Sequence, residues 1–328
     1  MSLTSDEQPV TPVLCLGEAL IDLIATGQVP SLEAANEFVA RNGGAPANVS
    51  VALARLGVAS AFGGAVGDDA FGHRLISGLA SEGVDTTRIH RRSEPTTIAF
   101  AWKNARGDGH FWLLRGADVS LSREDVAGAS IAGAAAIVVG SVALAADPSR
   151  SAIYRAVELA VAAGVPVCFD VNLRPSLWPD LKQAQAACQP ILSRATLLKL
   201  SLDDARGLDR GGDDPIAIVR DLDPEQTIPI VVMTDGERGS WYRAADCSIR
   251  FVPSVPVAAV EPTGAGDAFL AALICRLIRG GWAVPDDSDI AFAAAAGALA
   301  TLRHGAWDGL PTGDELNAFV QSAAVQVG

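Results

Sequence analysis

The sequence predicts an α/β protein whose central sheet is mostly parallel and flanked by helices. From Ile137 onward, apolar strand-like runs alternate with stretches of helical periodicity, as in IVVGSV, SRSAIYRAVELAVAAG and VPVCFDVN. Repeated strand–helix units with short connections give a parallel sheet, because each helix carries the chain back to the edge where the previous strand began. No linker and no fixed-period repeat divides the chain, so we expect one domain over residues 1–328.

The composition limits the possible partners and the location. Hydrophobic residues make up 49% of the sequence and the formal net charge is −13, which argues against nucleic acids and anionic membranes as partners. The uncharged stretch 126–146 is rich in Ala, Gly and Ser, which favours a buried strand over a membrane span. The five cysteines show no C-x-x-C spacing, and their odd number without a signal peptide predicts a cytoplasmic protein.

The first apolar run, VLCLGEALIDLIA, predicts a buried strand that ends near an acid, Asp22. The residues alone leave two roles open for this carboxylate. It either terminates the strand at the surface or binds a ligand with hydroxyl groups, since an ionised Asp accepts several short hydrogen bonds.

The next stretch, GGAPANVSVALARLG, predicts a glycine turn followed by a helix. Pro46 near the start and Gly57 at the end follow the usual asymmetry of a helix. Gly43 and Gly44 form the turn, and Asn48 is a polar residue in the first helical turn. These three residues are either structural or part of a binding site.

Two β-rich runs, TTIAFAW and GHFWLL, predict a hairpin about the polar turn NARGD. Trp102, Phe111 and Trp112 would expose much apolar surface on a solvated hairpin. A lid over a substrate, or a dimer interface, would cover them. Arg115 follows the hairpin as either a surface residue or a ligand contact.

Three polar stretches follow later strands of the predicted sheet. FDVNLRPSLW places Asn172 and Arg174 after one strand, and KLSLDDA places Asp204 after the next. MTDGERG follows a third strand and by itself indicates only a turn. Ligands of parallel sheets collect beyond the carboxyl ends of strands, so these stretches are candidate site segments.

The stretch VEPTGAGDAFLAALICRLIRG predicts an anion-binding turn that leads directly into an apolar helix. Thr263 is the expected N-cap, because its hydroxyl can accept a hydrogen bond from an unpaired N–H group. Gly264, Ala265 and Gly266 leave the backbone uncovered, and the first N–H groups of a helix attract negative charge. Asp267 either complements the helix dipole or serves as a general base beside an anion hole.

The PTGAGDAF segment resembles the C-terminal signature of the PfkB/ribokinase family of sugar kinases. The resemblance is ordered along the chain, from Asp22 through GGAPAN, NLRPSLW and T-x-G-x-x-G to GAGD. It implies a ribokinase-like fold with a small β lid inserted at about residues 23–41 and 95–118. It also implies that Asp267 deprotonates the sugar hydroxyl while the amides of residues 264–266 stabilise the transferring phosphoryl group.

The GGAPANV segment and the D-x-N-x-R-x-x-L-W element are most similar to those of the fructokinases. The resemblance therefore implies an ATP-dependent phosphorylation of a primary sugar hydroxyl, with fructose as the first candidate. It further implies a group of sugar-binding residues: Asp22, Gly43, Gly44, Asn48, Arg115, Asn172 and Arg174.

The same resemblance implies the residues around the nucleotide: Lys199, Ser201, Thr234, Gly236, Gly239, Gly264 and Gly266. Asp204 takes the position of a family Glu that acts on Mg²⁺ through water. Glu261 stands where the family commonly has an Asp near a monovalent cation. These two departures weaken the expectations of a magnesium role for Asp204 and of K⁺ activation.

Three alternatives stay open. 2-Keto-3-deoxygluconate kinase and ribokinase share the same motifs, and a sugar-binding sensor would retain the fold without chemistry. The intact GAGD argues against the sensor, whereas Glu261, Asp204 and Ala294, where relatives often have Asn, favour it. The expected partners are a sugar and ATP, with a homodimer through the lid as a further hypothesis.

Overall fold

The computed structural model describes residues 11–104, 106, 109–208, 212 and 214–327, with side chains described as far as residue 322. The predicted turn NARGD therefore lies partly outside the described residues. The strands are β1 Val13–Leu16, β2 Leu20–Gln28, β3 Phe38–Gly43, β4 Ser60–Gly67, β5 Asp85–Arg92, β6 Ile98–Lys103, β7 Gly109–Leu114, β8 Ala136–Gly140, β9 Val167–Asp170, β10 Leu197–Ser201, β11 Ile230–Thr234, β12 Gly239–Arg243 and β13 Ile249–Pro253.

The helices alternate with these strands through most of the chain. They are α1 Ala45–Arg55, α2 Ala70–Ser81, α3 Gly128–Ala132, α4 Ser149–Ala163, α5 Leu181–Leu192, α6 Leu202–Gly207, α7 Pro215–Leu222, α8 Ala265–Arg279, α9 Asp287–Ala300, α10 Ala306–Gly309 and α11 Gly313–Val327.

The described residues form one nine-stranded sheet in the order β13-β12-β11-β10-β9-β8-β1-β4-β5. Neighbouring strands from β5 to β11 are parallel, and only β12 and β13 pair in the antiparallel sense. The predicted mostly parallel sheet is confirmed, and residues 136–140 of the uncharged stretch form the buried strand β8.

The sheet is covered by helices on both faces, which explains why its strands are apolar without alternation. Val13 and Cys15 of β1 belong to the core formed with α1, α8 and α9, whereas Leu14 and Leu16 belong to the core formed with α4 and α5. Successive strand residues point to opposite faces, so both layers need apolar side chains.

The apolar run at residues 13–25 does not form one strand, as the sequence predicted. It divides into β1 of the main sheet and β2 of a second sheet, with a break around Gly17. Gly17 has φ +150°, and a Cβ atom there would lie 2.7 Å from Cγ of Pro46. This backbone conformation, which favours glycine, allows the chain to leave the main sheet, so Asp22 lies inside β2.

The second sheet has four strands within the described residues, in the order β3-β2-β6-β7, and is called the small sheet below. The hairpin predicted from TTIAFAW and GHFWLL is the antiparallel pair β6–β7. Trp112 stacks on Phe100 at 5.6 Å between ring centroids, yet it remains 48% exposed.

None of the helices in the described part of the chain combines the length and the apolar character that a membrane span requires.

Candidate active site

The N-terminus of α8 lies in a glycine turn, but the turn is capped differently from the prediction. Gly264 is the N-cap residue, with φ +85°, and no side chain caps the helix. Thr263 instead makes a side-chain hydrogen bond with Glu261, so the predicted Thr263 cap is wrong. A left-handed conformation favours glycine, and glycine has no side chain with which to cap the helix.

The amides of this turn are not equivalent. The N–H of Ala265 donates to the carbonyl oxygen of Pro262 at 3.1 Å, so it is not free to bind an anion in this conformation. The first amides of a helix have no partner within the helix, and those of Gly266 and Asp267 bond no other group among the described residues. Of the three predicted amides, that of Ala265 is engaged, whereas those of Gly264 and Gly266 make no hydrogen bond to another described group.

The helix behind this turn is almost fully buried. Ala268 to Ile274 and Leu277 of α8 pack between α1 and α9. Each large side chain buried there stabilises the fold by about 1.5–3 kcal/mol. The turn is therefore held on a rigid element, which suits a site that must position reacting groups.

Asp267 is 8% exposed, and its Oδ2 accepts a hydrogen bond from Nδ2 of Asn48 at 2.8 Å. Burial raises the pKa of Asp267. The Asn48 hydrogen bond and the positive charges of Lys199 and Arg174 act in the opposite direction. A raised pKa makes a carboxylate a better proton acceptor, which is the property that a general base needs.

Asn48 is positioned by a residue that the sequence did not identify. Its Oδ1 accepts from Nε1 of Trp307 at 2.8 Å, so the side chain presents its amide nitrogen to Asp267. Trp307 lies in the short helix α10, 259 positions further along the chain. No motif links the two residues, so no local signal could have predicted the contact.

Asp22 faces the same space from the small sheet. A Cβ atom on Gly43 would lie 2.1 Å from Oδ2 of Asp22, so the carboxylate lies directly against the glycine turn. Burial, together with the carboxylates of Glu261 and Asp267, raises the pKa of Asp22 to about 7. Arg174 lowers it, which places all four charged groups in one region.

Arg174 and Asn172 follow β9, as the sequence predicted. Asn172 has φ +38°, and its Oδ1 accepts from Nη1 of Arg174 at 2.6 Å. The Arg174 guanidinium also lies over the Phe111 ring, 5.9 Å from the centroid. This contact joins the small sheet to the edge of the main sheet where the candidate site lies.

Arg115 is held by its own loop. Its Nε donates to Oδ2 of Asp118 at 2.6 Å, and its Nη1 donates to the carbonyl oxygen of Val142 at 3.2 Å. Asp118 is buried and also accepts from the hydroxyl of Thr97. The sugar contact of Arg115 stays a prediction, and it would have to form beside these existing hydrogen bonds.

Lys199 forms a buried ion pair with Asp170, and the two residues lie side by side on β10 and β9. Nζ of Lys199 is 3.0 Å from Oδ1 and 3.2 Å from Oδ2 of Asp170. The sequence predicts a nucleotide contact for Lys199. In the structure, its ammonium is hydrogen-bonded to the buried carboxylate of Asp170.

Ser201 and Asp204 form a capping box at the start of α6. Oδ1 of Asp204 accepts from the N–H of Leu173 at 2.7 Å, and Oδ2 accepts from the N–H of Ser201 at 2.8 Å. Mg²⁺ prefers freely accessible carboxylate oxygens or its own waters. A buried carboxylate with both oxygens bonded to backbone amides fits a structural cap better than a magnesium ligand.

The T-x-G-x-x-G segment forms the turn between β11 and β12. Thr234 ends β11, Gly236 begins a short 3₁₀ helix, and Gly239 opens β12. Gly236 has φ +55° and no other atom within 4 Å of a Cβ position. The segment therefore presents open backbone at the carboxyl end of a parallel strand.

Glu261 is bonded within its own surroundings. Its Oε2 lies 3.2 Å from Nδ1 of His304 and accepts from the N–H of Gly305 at 3.2 Å. Although burial raises the pKa of Glu261, bonds from Thr263, Gly305 and His304 lower it below the ordinary value. The monovalent-cation role stays a prediction.

Known proteins resemble this chain over nearly its whole length. The family model described as pfkB family carbohydrate kinase matches residues 10–313. The chain belongs to the pfkB family of carbohydrate kinases. This membership confirms the resemblance seen in the sequence, together with the ribokinase-like α/β fold and the carbohydrate kinase class.

Relatives of this pfkB kinase include Fructokinase-1 of Oryza sativa subsp. japonica, with 37% identity over 95% of this chain and 98% of the relative. A fructokinase structure from Xylella fastidiosa with bound ATP has 30% identity and a TM-score of 0.83, covering 95% and 99% of the two chains. A structure from E. coli described as Ribokinase II, in complex with ATP and Mg²⁺, has 26% identity and a TM-score of 0.85, with the same coverage.

The structure adds an acid, Glu18, that the sequence did not predict as a site residue. Glu18 is 4% exposed, and its Oε1 accepts from the N–H of Ala45 at 3.2 Å. Its Oε2 has no hydrogen-bond partner among the described residues. The side chain lines a small cavity with Ser141, Asp170 and Asn172, and burial raises its pKa to about 7.

Proposed function

We propose that this carbohydrate kinase transfers the γ-phosphoryl group of ATP to a primary hydroxyl of fructose, with Asp267 as the general base. The observation that carries the proposal is the position of Asp267. Its buried carboxylate lies at the amino end of α8, bonded to Asn48 and acted on by the charges of Lys199 and Arg174. This arrangement combines a proton acceptor with positive charge where a phosphoryl group would arrive.

The names of the relatives support both substrates. The rice relative is a fructokinase, and the Xylella structure is a fructokinase with ATP bound. Identity of 30–37% over 95% of this chain, with a TM-score of 0.83 for the Xylella structure, supports a similar fold around the sugar site.

The reaction follows from the arrangement of the side chains. The sugar would lie against the turn at Gly43 and Gly44, with Asp22 and Arg174 binding its hydroxyl groups. Asp267 would take the proton of the attacking hydroxyl as its oxygen bonds to the γ-phosphorus. The bond from that phosphorus to the β,γ-bridging oxygen breaks, and ADP leaves with the bridging oxygen.

The rest of the site would stabilise the charge of the transferring group. The free amides at the start of α8 would donate to phosphoryl oxygens, and the open turn at Gly236 would support the phosphates of the nucleotide. Mg²⁺, present in the E. coli relative, would neutralise phosphate charge when bound. Because both oxygens of Asp204 accept from backbone amides, we assign this residue no role in holding the ion.

The small sheet would act as the lid. The contact between Phe111 and Arg174 shows that β7 reaches the loop that follows β9. Closing such a sheet over a sugar would exclude water and limit hydrolysis of ATP.

A dimer through the small sheet is a further hypothesis. Sedimentation at working concentration tests it, and finding only monomer would contradict it.

The deciding experiment is a sugar panel read by coupled ADP release. We expect kcat/KM for fructose to exceed the values for ribose and 2-keto-3-deoxygluconate by at least about tenfold, which corresponds to about 1.4 kcal/mol of transition-state binding. A preference for either of the other sugars would reassign the substrate. Thermal stabilisation by sugars without any ADP release would favour a non-catalytic sensor.

A further inference from the structure

The ion pair of Lys199 and Asp170 lies deep in the fold, although charged side chains are seldom buried. Lys199 is 5% exposed and Asp170 is 4% exposed. Burying two charges costs several kcal/mol per ion, and apolar side chains of similar volume commonly pack as well or better. Neighbours such as Leu198 and Leu200 show that the strand readily accommodates apolar residues. The pair therefore needs an explanation other than stability.

A second buried pair in the same protein shows what a structural pair looks like. Nη1 of Arg243 lies 2.9 Å from Oδ2 of Asp223, whose oxygens also accept from the backbone amides of Thr227 and Ile228. Arg243 also donates to the carbonyl oxygen of Ile228. This pair ties a loop closed at the amino end of β11, the opposite edge of the sheet from the candidate site.

The pair at Lys199 is bonded differently. The ammonium has three donors, and within the described residues its hydrogen bonds go only to the two oxygens of Asp170. The same nitrogen would lie 3.0 Å from a Cβ atom placed on Gly266. A positive charge thus lies close to the backbone of Gly266, whose amide makes no hydrogen bond to another described group.

Asp267 follows Gly266 and lies within reach of this charge, which acts more strongly on Asp170 and Asp204. The charge of Lys199 lowers the pKa of Asp267, opposing the burial that raises it. Burial raises the pKa of Asp170 to about 6, against the influence of Lys199. The titratable and charged groups that face Asp267 from the surrounding elements are Lys199, Arg174, Asp22, Asp170 and Cys15.

We infer that Lys199 is a positioning residue for phosphoryl transfer. Its ammonium, fixed by Asp170 behind Gly266, keeps Asp267 ionised and makes the turn at the start of α8 attractive to the transferring phosphoryl group. Lys199 acts through these neighbours and does not bind the nucleotide itself. The inference rests on the proposed function, because it assigns Asp267 the role of base.

The test measures kcat against pH for Lys199→Met and Asp170→Asn. Without the ammonium, Asp267 binds its proton more tightly, so we expect the acidic limb of the Lys199→Met profile to move upward by about one pH unit. In Asp170→Asn the ammonium acts on Asp267 without a competing carboxylate, so the limb should move downward. Loss of packing alone would lower kcat in both variants and move neither limb.

The double variant Lys199→Met/Asp170→Asn guards against misfolding, because it leaves no unpaired buried charge. We expect it to melt near the wild type and still to lose about tenfold in kcat, since no positive charge remains behind Gly266. A double variant with wild-type kcat would overturn the inference. The control Arg243→Met/Asp223→Asn removes the structural pair and should leave the pH profile unmoved.

Failure of the proposed function is recognised separately. If the wild type releases no ADP with any sugar, the proposed reaction is wrong. The effect of Lys199 on Asp267 is then measured without turnover, by an NMR titration of the carboxyl carbon of Asp267. The signal is assigned by comparison with Asp267→Asn. A midpoint that rises in Lys199→Met supports the arrangement, and an unchanged midpoint refutes it.

Discussion

Two regions of the candidate site are built in opposite ways. The carboxylate region, comprising Glu18, Asp22, Asp170, Lys199 and Asp267, consists of charged side chains from five segments, and all of them except the half-buried Asp22 are buried. The turn region, Thr234–Gly239, is a single continuous segment whose backbone is open at Gly236 and tightly packed at Gly239. From this difference we expect the chemistry to depend on side chains of the first region, and the second region to contribute shape and backbone groups.

The largest expected effect is that of Asp267→Asn in the carboxylate region. The amide cannot accept the hydroxyl proton, so kcat should fall by about a hundred- to ten-thousand-fold. Its Oδ1 can still accept from Asn48, so ATP and sugar should bind with little change. Steady-state kinetics and calorimetric titration measure the two quantities.

A matched control for that variant is Asp289→Asn. Asp289, on α9, accepts a hydrogen bond at 2.6 Å from Nε of Arg276. Arg276 lies near the carboxyl end of α8, away from the turn. We expect its kcat to stay within about twofold of the wild type, because this half-buried ion pair lies away from the proposed reacting groups. Near-normal turnover in Asp267→Asn would end its assignment as the base.

An intermediate effect, on stability, is expected for Glu18→Gln. Burial raises the pKa of Glu18 from 4.5 to about 7, so the folded state retains a proton that the unfolded state releases between these values. Stability from this group is therefore lost as the pH rises from 4.5 to about 7, and it stays constant above that. Glutamine keeps the acceptor for the Ala45 amide and does not ionise.

The glutamine variant should thus gain stability relative to the wild type as the pH rises through that window, by up to about 3 kcal/mol. Denaturant unfolding at a series of pH values measures the gain. Glu158→Gln, on an exposed part of α4, is the control and should show no such trend. A constant difference between Glu18→Gln and wild type would contradict the buried, ionising carboxyl.

The smallest effect is expected in the turn region. Gly236→Ala adds a methyl group into open space but at φ +55°, which should cost about 1 kcal/mol of stability. If the turn supports the nucleotide phosphates, KM for ATP should rise several-fold while kcat changes little. Thermal unfolding and ATP-dependent kinetics separate these quantities.

Gly57→Ala provides the comparison for the turn region, because Gly57 has φ +78° and equally open surroundings beyond the end of α1. It should lose similar stability without any change in KM for ATP. Equal KM values in the two variants would remove the turn region from the nucleotide site.

Much of this architecture could be predicted from local patterns. Alternating strands and helices indicated the parallel sheet, and the GAGD turn indicated the start of α8. The errors arose where a local pattern met a tertiary constraint. The apolar run at residues 13–25 contains a break at Gly17 that periodicity does not show, and Thr263 lost its capping role because Gly264 adopts a left-handed conformation.

The sequence by itself determined most of the strands and helices and several of the polar segments that follow them, because periodicity and turn chemistry act over a few neighbouring residues. Only the tertiary structure decided which polar groups meet. The bond from Trp307 to Asn48 spans 259 positions, and Lys199 reaches Asp170 and Gly266 only because β9, β10 and α8 converge. Such contacts depend on strand register and helix packing, which no short stretch of sequence encodes.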